Sequence, residues 1–216
     1  EEHKPEAEIQ DQHLTRLHEA TAAAAQWFNY LLLNNPQAQV ARQHLAKRAI
    51  TAKTIEAFQL GYSPDDWHAL ENTLKNKGFT REEMIDAGLL VQRDDGNVFD
   101  RFRNRLMIPI HDGRGKPIGF GARALKDGDE PKYLNSPQTA LFDKSRTLYA
   151  LHAARNAMRE QKVAVIVEGY MDAIAAHQWG FANVVASLGT ALTETQFRTL
   201  QKLAPKIVLA LDPDTA

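Results

Sequence analysis

The amino-acid sequence predicts an α+β unit of helices followed by small antiparallel strands, and then an α/β unit whose parallel sheet is incomplete at the end of the chain. Three observations carry this. Apolar residues recur at helical spacing from Leu14 to about Gly88. Short apolar runs separated by hairpin turns occupy residues 89–124. From residue 147, helical segments alternate with apolar runs of strand length, the pattern of a parallel sheet with right-handed crossovers.

Residues 1–10 are polar and acidic and read as a frayed lead-in. Leu14 to Leu33 form a long amphipathic helix with an alanine run at 22–25, stopped at Asn34-Asn35-Pro36 because the residue before a proline is pushed out of the helical region. A helix follows at 37–48. Thr51 is placed to cap 52–58, with Glu56 too late for a capping box. Gly61-Tyr62-Ser63-Pro64 reads as a turn. A helix at 66–77 ends at Gly78, and Thr80 with Glu83 caps 81–87, ended by Gly88. Strands are expected at 89–92, 106–110 and 118–124, turned by Asp94-Asp95-Gly96-Asn97 and Asp112-Gly113-Arg114-Gly115. Residues 126–147, with Pro131 and Pro137, read as an irregular polar loop of a length that is uncommon without a function. Helices at 147–159, 170–178 and 193–203 then alternate with strands at 163–167, 183–187 and 207–211. Trp27, Trp67 and Trp179 are expected in the core. His44, His68, His111 and His177 are expected to be structural or surface residues.

The chain has 216 residues, of which 44% are hydrophobic, enough for one large or two small domains. It has no cysteine, which excludes disulfides and thiolate metal sites and fits a cytoplasmic protein. No apolar run approaches the roughly 20 residues of a membrane helix, so no membrane is expected. The net charge is −1, yet residues 101–146 hold ten Lys/Arg against five Asp/Glu. A local excess of this kind suits a phosphate backbone, although a charge run alone is more often a solvated face.

Two motifs carry chemistry. The apolar run Val165-Ile166-Val167 ends in Glu168-Gly169, and Ile207–Leu211 ends in Asp212-Pro213-Asp214. Acids just past the ends of parallel strands sit where open α/β sheets bind their ligands. Three carboxylates gathered there repel one another unless a hard cation such as Mg²⁺ joins them. Asp172 follows in the first turn of the next helix, where it is a partner of the helix dipole and, in a smaller direct role, an outer metal or water contact. Gly189 follows the middle strand and frees backbone N–H groups for a phosphate, or is an ordinary turn. Arg101, Arg103 and Arg105 alternate and share one face of an extended segment. Lys132, Tyr133 and Asn135 combine a cation, an aromatic ring and an amide in a loop, which suits a nucleotide or a single strand. Lys144 and Arg146 stand just before the α/β unit.

At these residues a resemblance becomes specific. Glu168-Gly169-Tyr170-Met171-Asp172 with Asp212-Pro213-Asp214 resembles the Toprim module shared by bacterial primases, type IA and type II topoisomerases, OLD-type nucleases and RecR-type repair proteins. Arg101-Phe102-Arg103-Asn104-Arg105, Ile118–Arg123, Pro131–Pro137 and Phe142–Arg146 are similar to the basic subdomain of bacterial DnaG-type primases, as is Ala57–Tyr62 in the helical lead. The resemblance runs from about residue 15 to 216 and implies a truncated RNA polymerase core, with residues 1–160 as an N-terminal subdomain bearing a basic groove and 161–216 as an incomplete, Rossmann-like Toprim catalytic domain. It implies synthesis of short RNA primers from ribonucleoside triphosphates on single-stranded DNA. It places acid/base chemistry at Glu168 and Mg²⁺ or Mn²⁺ on Asp212 and Asp214, with Glu168 completing the metal site. It places the groove at Arg103, Lys132, Lys144 and Arg146, and less directly at Arg101 and Arg105. Zinc is implied only in a preceding ribbon that this cysteine-free chain lacks, and a replicative helicase only through an absent C-terminal domain. The family often has Gly where Ala49 and Pro213 stand. A Toprim nuclease or topoisomerase would use the same acids, and a non-catalytic single-strand-binding fragment would use only the cations.

Overall fold

The computed structural model describes residues 4–126, 128–189 and 192–211. The first unit contains α1 (Lys4–Asn34), α2 (Gln39–Lys47), α3 (Ala52–Ala57), β1 (Gly61–Ser63), α4 (Ala69–Lys75), α5 (Arg81–Asp86), β2 (Leu90–Gln92), β3 (Val98–Asp100), β4 (Arg105–His111), β5 (Pro117–Ala124) and β6 (Tyr133–Asn135). The second contains α6 (Leu151–Gln161), β7 (Val163–Val167), α7 (Tyr170–Gln178), β8 (Val184–Ala186), α8 (Glu194–Gln201) and β9 (Lys206–Leu209). The predicted fold class holds.

Four antiparallel strands run in the order β1-β4-β5-β6, and β2 with β3 makes a separate hairpin. β4 and β5 join through Asp112, whose Oδ1 accepts from the N–H groups of Arg114 at 2.8 Å and Lys116 at 2.9 Å. The sheet is buried on both faces, as the uninterrupted apolar run of β4 requires. Met107, Phe120 and Ala122 face Leu17, Ala24 and Phe28 of α1 and the helices α4 and α5. Leu106, Ile108 and Ile110 face α2 and, from the second unit, Tyr170, Ala173 and Ile174 of α7. One core therefore runs through both units.

The second sheet is parallel, in the order β8-β7-β9. Its strands alternate between two cores. Ala164, Ile166 and Val185 pack with Ala154 and Met158 of α6 and Leu200 of α8. Val165, Val167, Val184 and Ala186 pack on the α7 side. Helices thus cover both faces. Although α6 lies mostly within residues 1–160, it packs on the sheet that follows it.

Several expectations change. The helix predicted from Leu14 begins by Lys4, inside the expected lead-in. Gly61–Ser63 is a strand paired with Arg105–Met107, not a turn. A Cβ at Gly61 would lie 2.6 Å from Phe28 Cβ, so glycine is what lets α1 press against this strand. The polar loop contains β6, paired with Gly121–Arg123. Val98–Asp100 is a strand that local pattern did not reveal. Trp67 and Trp179 are 52% and 73% exposed, not core. The Thr80–Glu83 capping box forms as expected, with Thr80 N donating to Glu83 Oε2 at 2.8 Å and Glu83 N to Thr80 Oγ1 at 3.2 Å.

Candidate functional site

A cleft of about 950 Å³ opens where the carboxyl ends of the parallel strands meet β6. Its polar lining comes mainly from three segments, and Leu192, Leu209 and Leu211 add apolar wall. The turn from β7 into α7 supplies Glu168, Gly169 and Asp172, the segment after β8 supplies Ser187 and Gly189, and β6 with its approach supplies Lys132 and Tyr133. Arg48, which local pattern did not single out, closes a further side.

Glu168 is exposed and, among the described residues, makes no hydrogen bond or ion pair. Asp172 is also exposed, in the first turn of α7, and its Oδ2 lies 2.6 Å from where a Cβ on Gly169 would stand. Gly169 thus leaves room for that carboxylate over the turn. β9 runs parallel to β7, with Leu209 opposite Ile166 and the Ala210 N–H donating to the Ile166 carbonyl at 2.8 Å. The carboxyl end of β9 therefore lies at the same edge of the sheet as the carboxyl end of β7, which Glu168 follows. Asp212 and Asp214, like Thr190, lie outside the described residues. Among the described residues no group of three His, Cys, Asp or Glu side chains is gathered to hold a metal. Exposed carboxylate oxygens with no competing partners are nonetheless the donor chemistry that a hard divalent cation takes.

The cations divide by what they touch. Lys132 is exposed on the cleft wall, and Tyr133 beside it is half-buried. Lys144 is half-buried, with Nζ 3.9 Å from the position a Gly189 Cβ would take, so it reaches the edge beyond β8. Gly189 has φ +77°, a conformation that glycine adopts without strain. Arg146 is exposed. Their segment is held by α8: the Gln196 amide Nε2 donates to the carbonyls of Lys144 at 3.1 Å and Thr147 at 2.8 Å, and Thr193 Oγ1 donates to the Ser145 carbonyl at 2.6 Å.

Arg101, Arg103 and Arg105 do not form the shared face expected of an extended segment, because Asn104 has φ +49° and breaks it. Arg105 is buried in β4 and donates to the carbonyl of Pro131 at 2.8 Å, bracing the approach to Lys132. Arg101 donates to the Asn135 carbonyl at 3.0 Å. Arg103 donates to the Asp100 carbonyl and lies 3.9 Å from the ring centroid of Trp67. Burial depresses the pKa of all three guanidinium groups from the ordinary value. Arg48 donates from Nε to His44 Nε2 at 3.0 Å. Burial, then the charges of Arg123, Arg48 and Lys47, depress His44 to about 4, so near pH 7 the imidazole is neutral and accepts.

Asn135 does not point into open space. Its Oδ1 accepts from the Tyr170 hydroxyl at 2.7 Å, and its Nδ2 donates to the Leu188 carbonyl at 3.2 Å. No local signal in the sequence discloses this, because its partners are 35 and 53 residues away.

Comparison with known proteins supplies an independent line. Residues 27–155 match the family described as DNA primase catalytic core, N-terminal domain, and residues 165–216 match a Toprim-like family. The chain is 46% identical over 202 residues to a DNA primase of Clostridium acetobutylicum, which covers 93% of this chain and 33% of that protein. The RNA polymerase domain of Mycobacterium tuberculosis primase DnaG, in complex with double-stranded DNA, superposes with a TM-score of 0.88 at 37% identity, over 94% of this chain and 65% of that one. A DnaG primase catalytic domain bound to single-stranded DNA superposes with a TM-score of 0.82 at 39% identity, over 92% of this chain and 64% of that one. The chain spans about a third of the length of the curated relatives it matches.

Proposed function

Since the chain belongs to the DNA primase catalytic core family, we propose that it carries the central part of an enzyme that makes short RNA primers from ribonucleoside triphosphates on single-stranded DNA. The observation that supports this most is the cleft itself, which brings Lys132 and Tyr133 of the first unit against Glu168 and Asp172 of the second. A nucleotidyl transfer needs that combination of cations for phosphates and a carboxylate for the attacking hydroxyl.

In this reading, Lys132, Lys144, Arg146 and Arg48 hold template and triphosphate phosphates. Tyr133 offers a ring face to a base. Arg103, stacked on the exposed Trp67, extends the cationic path away from the cleft. Arg101 and Arg105 act from behind, through the backbone of residues 131–135. Glu168 takes the proton of the primer 3′-hydroxyl, and Asp172 orders the turn that presents it. Asp212 and Asp214, with Glu168, would hold Mg²⁺ or Mn²⁺, which when bound neutralises charge on the triphosphate. The division of labour places the nucleic-acid groove in residues 1–160 and the catalytic edge in residues 161–216, with α6 serving the second sheet.

The test is primer synthesis from ribonucleoside triphosphates on single-stranded DNA by the full-length protein, its Asp212→Ala variant and its Glu168→Gln variant. Metal-dependent oligoribonucleotides that both variants lose, with DNA binding retained, support the reading. Cutting or relaxation of DNA would instead establish a Toprim nuclease or topoisomerase. DNA binding without synthesis, indifferent to metal and to both acids, would leave a binding module.

A further inference from the structure

We propose that Asn135 and Tyr170 are positioning residues: a part-buried side-chain joint that sets the β7–α7 turn and the segment after β8 in register with β6, the strand that directly follows Lys132. The inference rests, for its consequence in catalysis, on the primer-synthesis reading.

The geometry has four parts. The Tyr170 hydroxyl donates to Asn135 Oδ1 at 2.7 Å. Asn135 Nδ2 donates to the Leu188 carbonyl at 3.2 Å. A carbonyl can only accept, so the amide must turn its NH₂ to Leu188 and its oxygen to the tyrosine, and both hydrogen bonds have one sense only. The Asn135 carbonyl in turn accepts from Arg101. Last, the Tyr170 ring lies directly against Gly121 of β5, where a Cβ would stand 2.6 Å from Cε2 and 2.7 Å from the hydroxyl oxygen. The ring also packs edge-on to Tyr149 at 4.9 Å between centroids and beside Tyr133 at 6.0 Å.

Each partner stands next to a cleft residue. Tyr170 is two residues after Glu168, Leu188 precedes Gly189, and Asn135 is two residues after Tyr133. One amide therefore ties the acid-bearing turn and the Lys144-facing segment to the strand that carries the nucleic-acid groups. Both ends of the Asn135 amide are turned to protein partners, Oδ1 to Tyr170 and Nδ2 to Leu188, which moves the side chain from the groove to the frame. A misplacement of about 1 Å between such groups is enough to slow a transfer a hundredfold.

The experiment uses the full-length protein with Asn135→Leu, Tyr170→Phe and both together. Both nearly keep size; Tyr170→Phe removes the bond to Asn135, and Asn135→Leu removes that bond and the one to Leu188. Steady-state primer synthesis, single-stranded DNA binding and amide hydrogen exchange are measured on all four proteins, with thermal melting to verify folding. For a joint, kcat falls on the order of ten- to hundredfold in either single variant while KM for nucleotide and Kd for DNA stay within about twofold. The double variant falls no further than the worse single one, and exchange quickens at residues 169–173 and 187–189 together but not at 69–75. If Asn135→Leu weakens DNA binding and Tyr170→Phe does not, Asn135 is a template contact and the proposal fails. It fails equally if the two substitutions add, or if exchange at both turns is unchanged. Should the unsubstituted protein make no primers, the primer-synthesis reading fails by itself, and the exchange result still decides the joint.

Discussion

At the scale of single residues, backbone conformation and burial give the sharpest predictions. Ala49 stands at φ +54°, in the left-handed region that glycine adopts without strain. The left-handed region costs an L-residue about 1–2 kcal/mol, and glycine returns part of this as entropy of the unfolded chain. Ala49→Gly is expected to stabilise the protein by roughly 0.5–1 kcal/mol, read as a raised urea midpoint at unchanged slope. Asp100 supplies a pH-dependent prediction. It is buried and accepts from the N–H groups of Leu70 at 2.7 Å and Glu71 at 3.0 Å, yet burial outweighs these bonds and lifts its pKa to about 6. A carboxyl raised in the folded state favours folding most when protonated, so its contribution is complete below about 4 and is lost as pH rises through about 6. Comparing melting temperatures of the native protein and Asp100→Asn across that window should show the native protein losing ground to the variant as pH rises. Glu168, Lys132, Lys144 and Arg146 could be read as candidates because each is a charged residue beside a strand end or a basic run. Arg48 could not, because its place in the cleft depends on α2 folding beneath the sheet. Arg105 could not be recognised as a brace, because its partner carbonyl belongs to a segment 26 residues away.

At the scale of elements, the parallel unit was the most legible part of the chain. Strand 163–167 and helix 170–178 occur at the expected residues because the strand is an unbroken apolar run and turn signals bound both elements. β1, β3 and β6 were not legible, since three residues cannot establish a period and each strand is made by a distant partner. Trp67 misled because its neighbours suggested a helix, whereas it lies ahead of α4 and meets Phe99 edge-on at 5.2 Å between centroids. Two element-level predictions follow from tight joints. Gly121→Ala drives a methyl group into the Tyr170 ring and should cost about 1–3 kcal/mol, measured by chemical denaturation. Gln196, fully buried at the start of α8, closes that helix's capping box and holds the carbonyls of Lys144 and Thr147. Gln196→Leu strands both carbonyls, and each such loss costs about 1–3 kcal/mol. The segment bearing Lys144 and Arg146 should then be cut sooner in limited proteolysis.

At the scale of the whole molecule, the core that passes from α2 and β4 into α7 and β8 predicts a single cooperative unfolding transition. Fluorescence of Trp67 in the first unit and Trp179 in the second, observed in single-tryptophan variants, should report coincident urea midpoints. Separated midpoints would show that the units unfold independently. Among the described residues no helix is long and apolar enough to cross a membrane. Gln178 closes α7 onto the first unit, accepting from the Thr51 N–H at 2.9 Å and the Thr54 hydroxyl at 2.7 Å and donating to the Ala49 carbonyl at 2.8 Å. These partners are more than 120 residues apart, which has a consequence for biosynthesis. On the ribosome, the antiparallel sheet is complete once residue 135 has emerged, but the face that receives Tyr170 stays bare until α7 follows. At roughly 5–20 residues per second, that interval lasts on the order of 2–9 s. For those seconds the part of the Leu106, Ile108 and Ile110 face that α2 does not cover and α7 will is left open, and a chaperone that shields newly made apolar surface has its natural opening there.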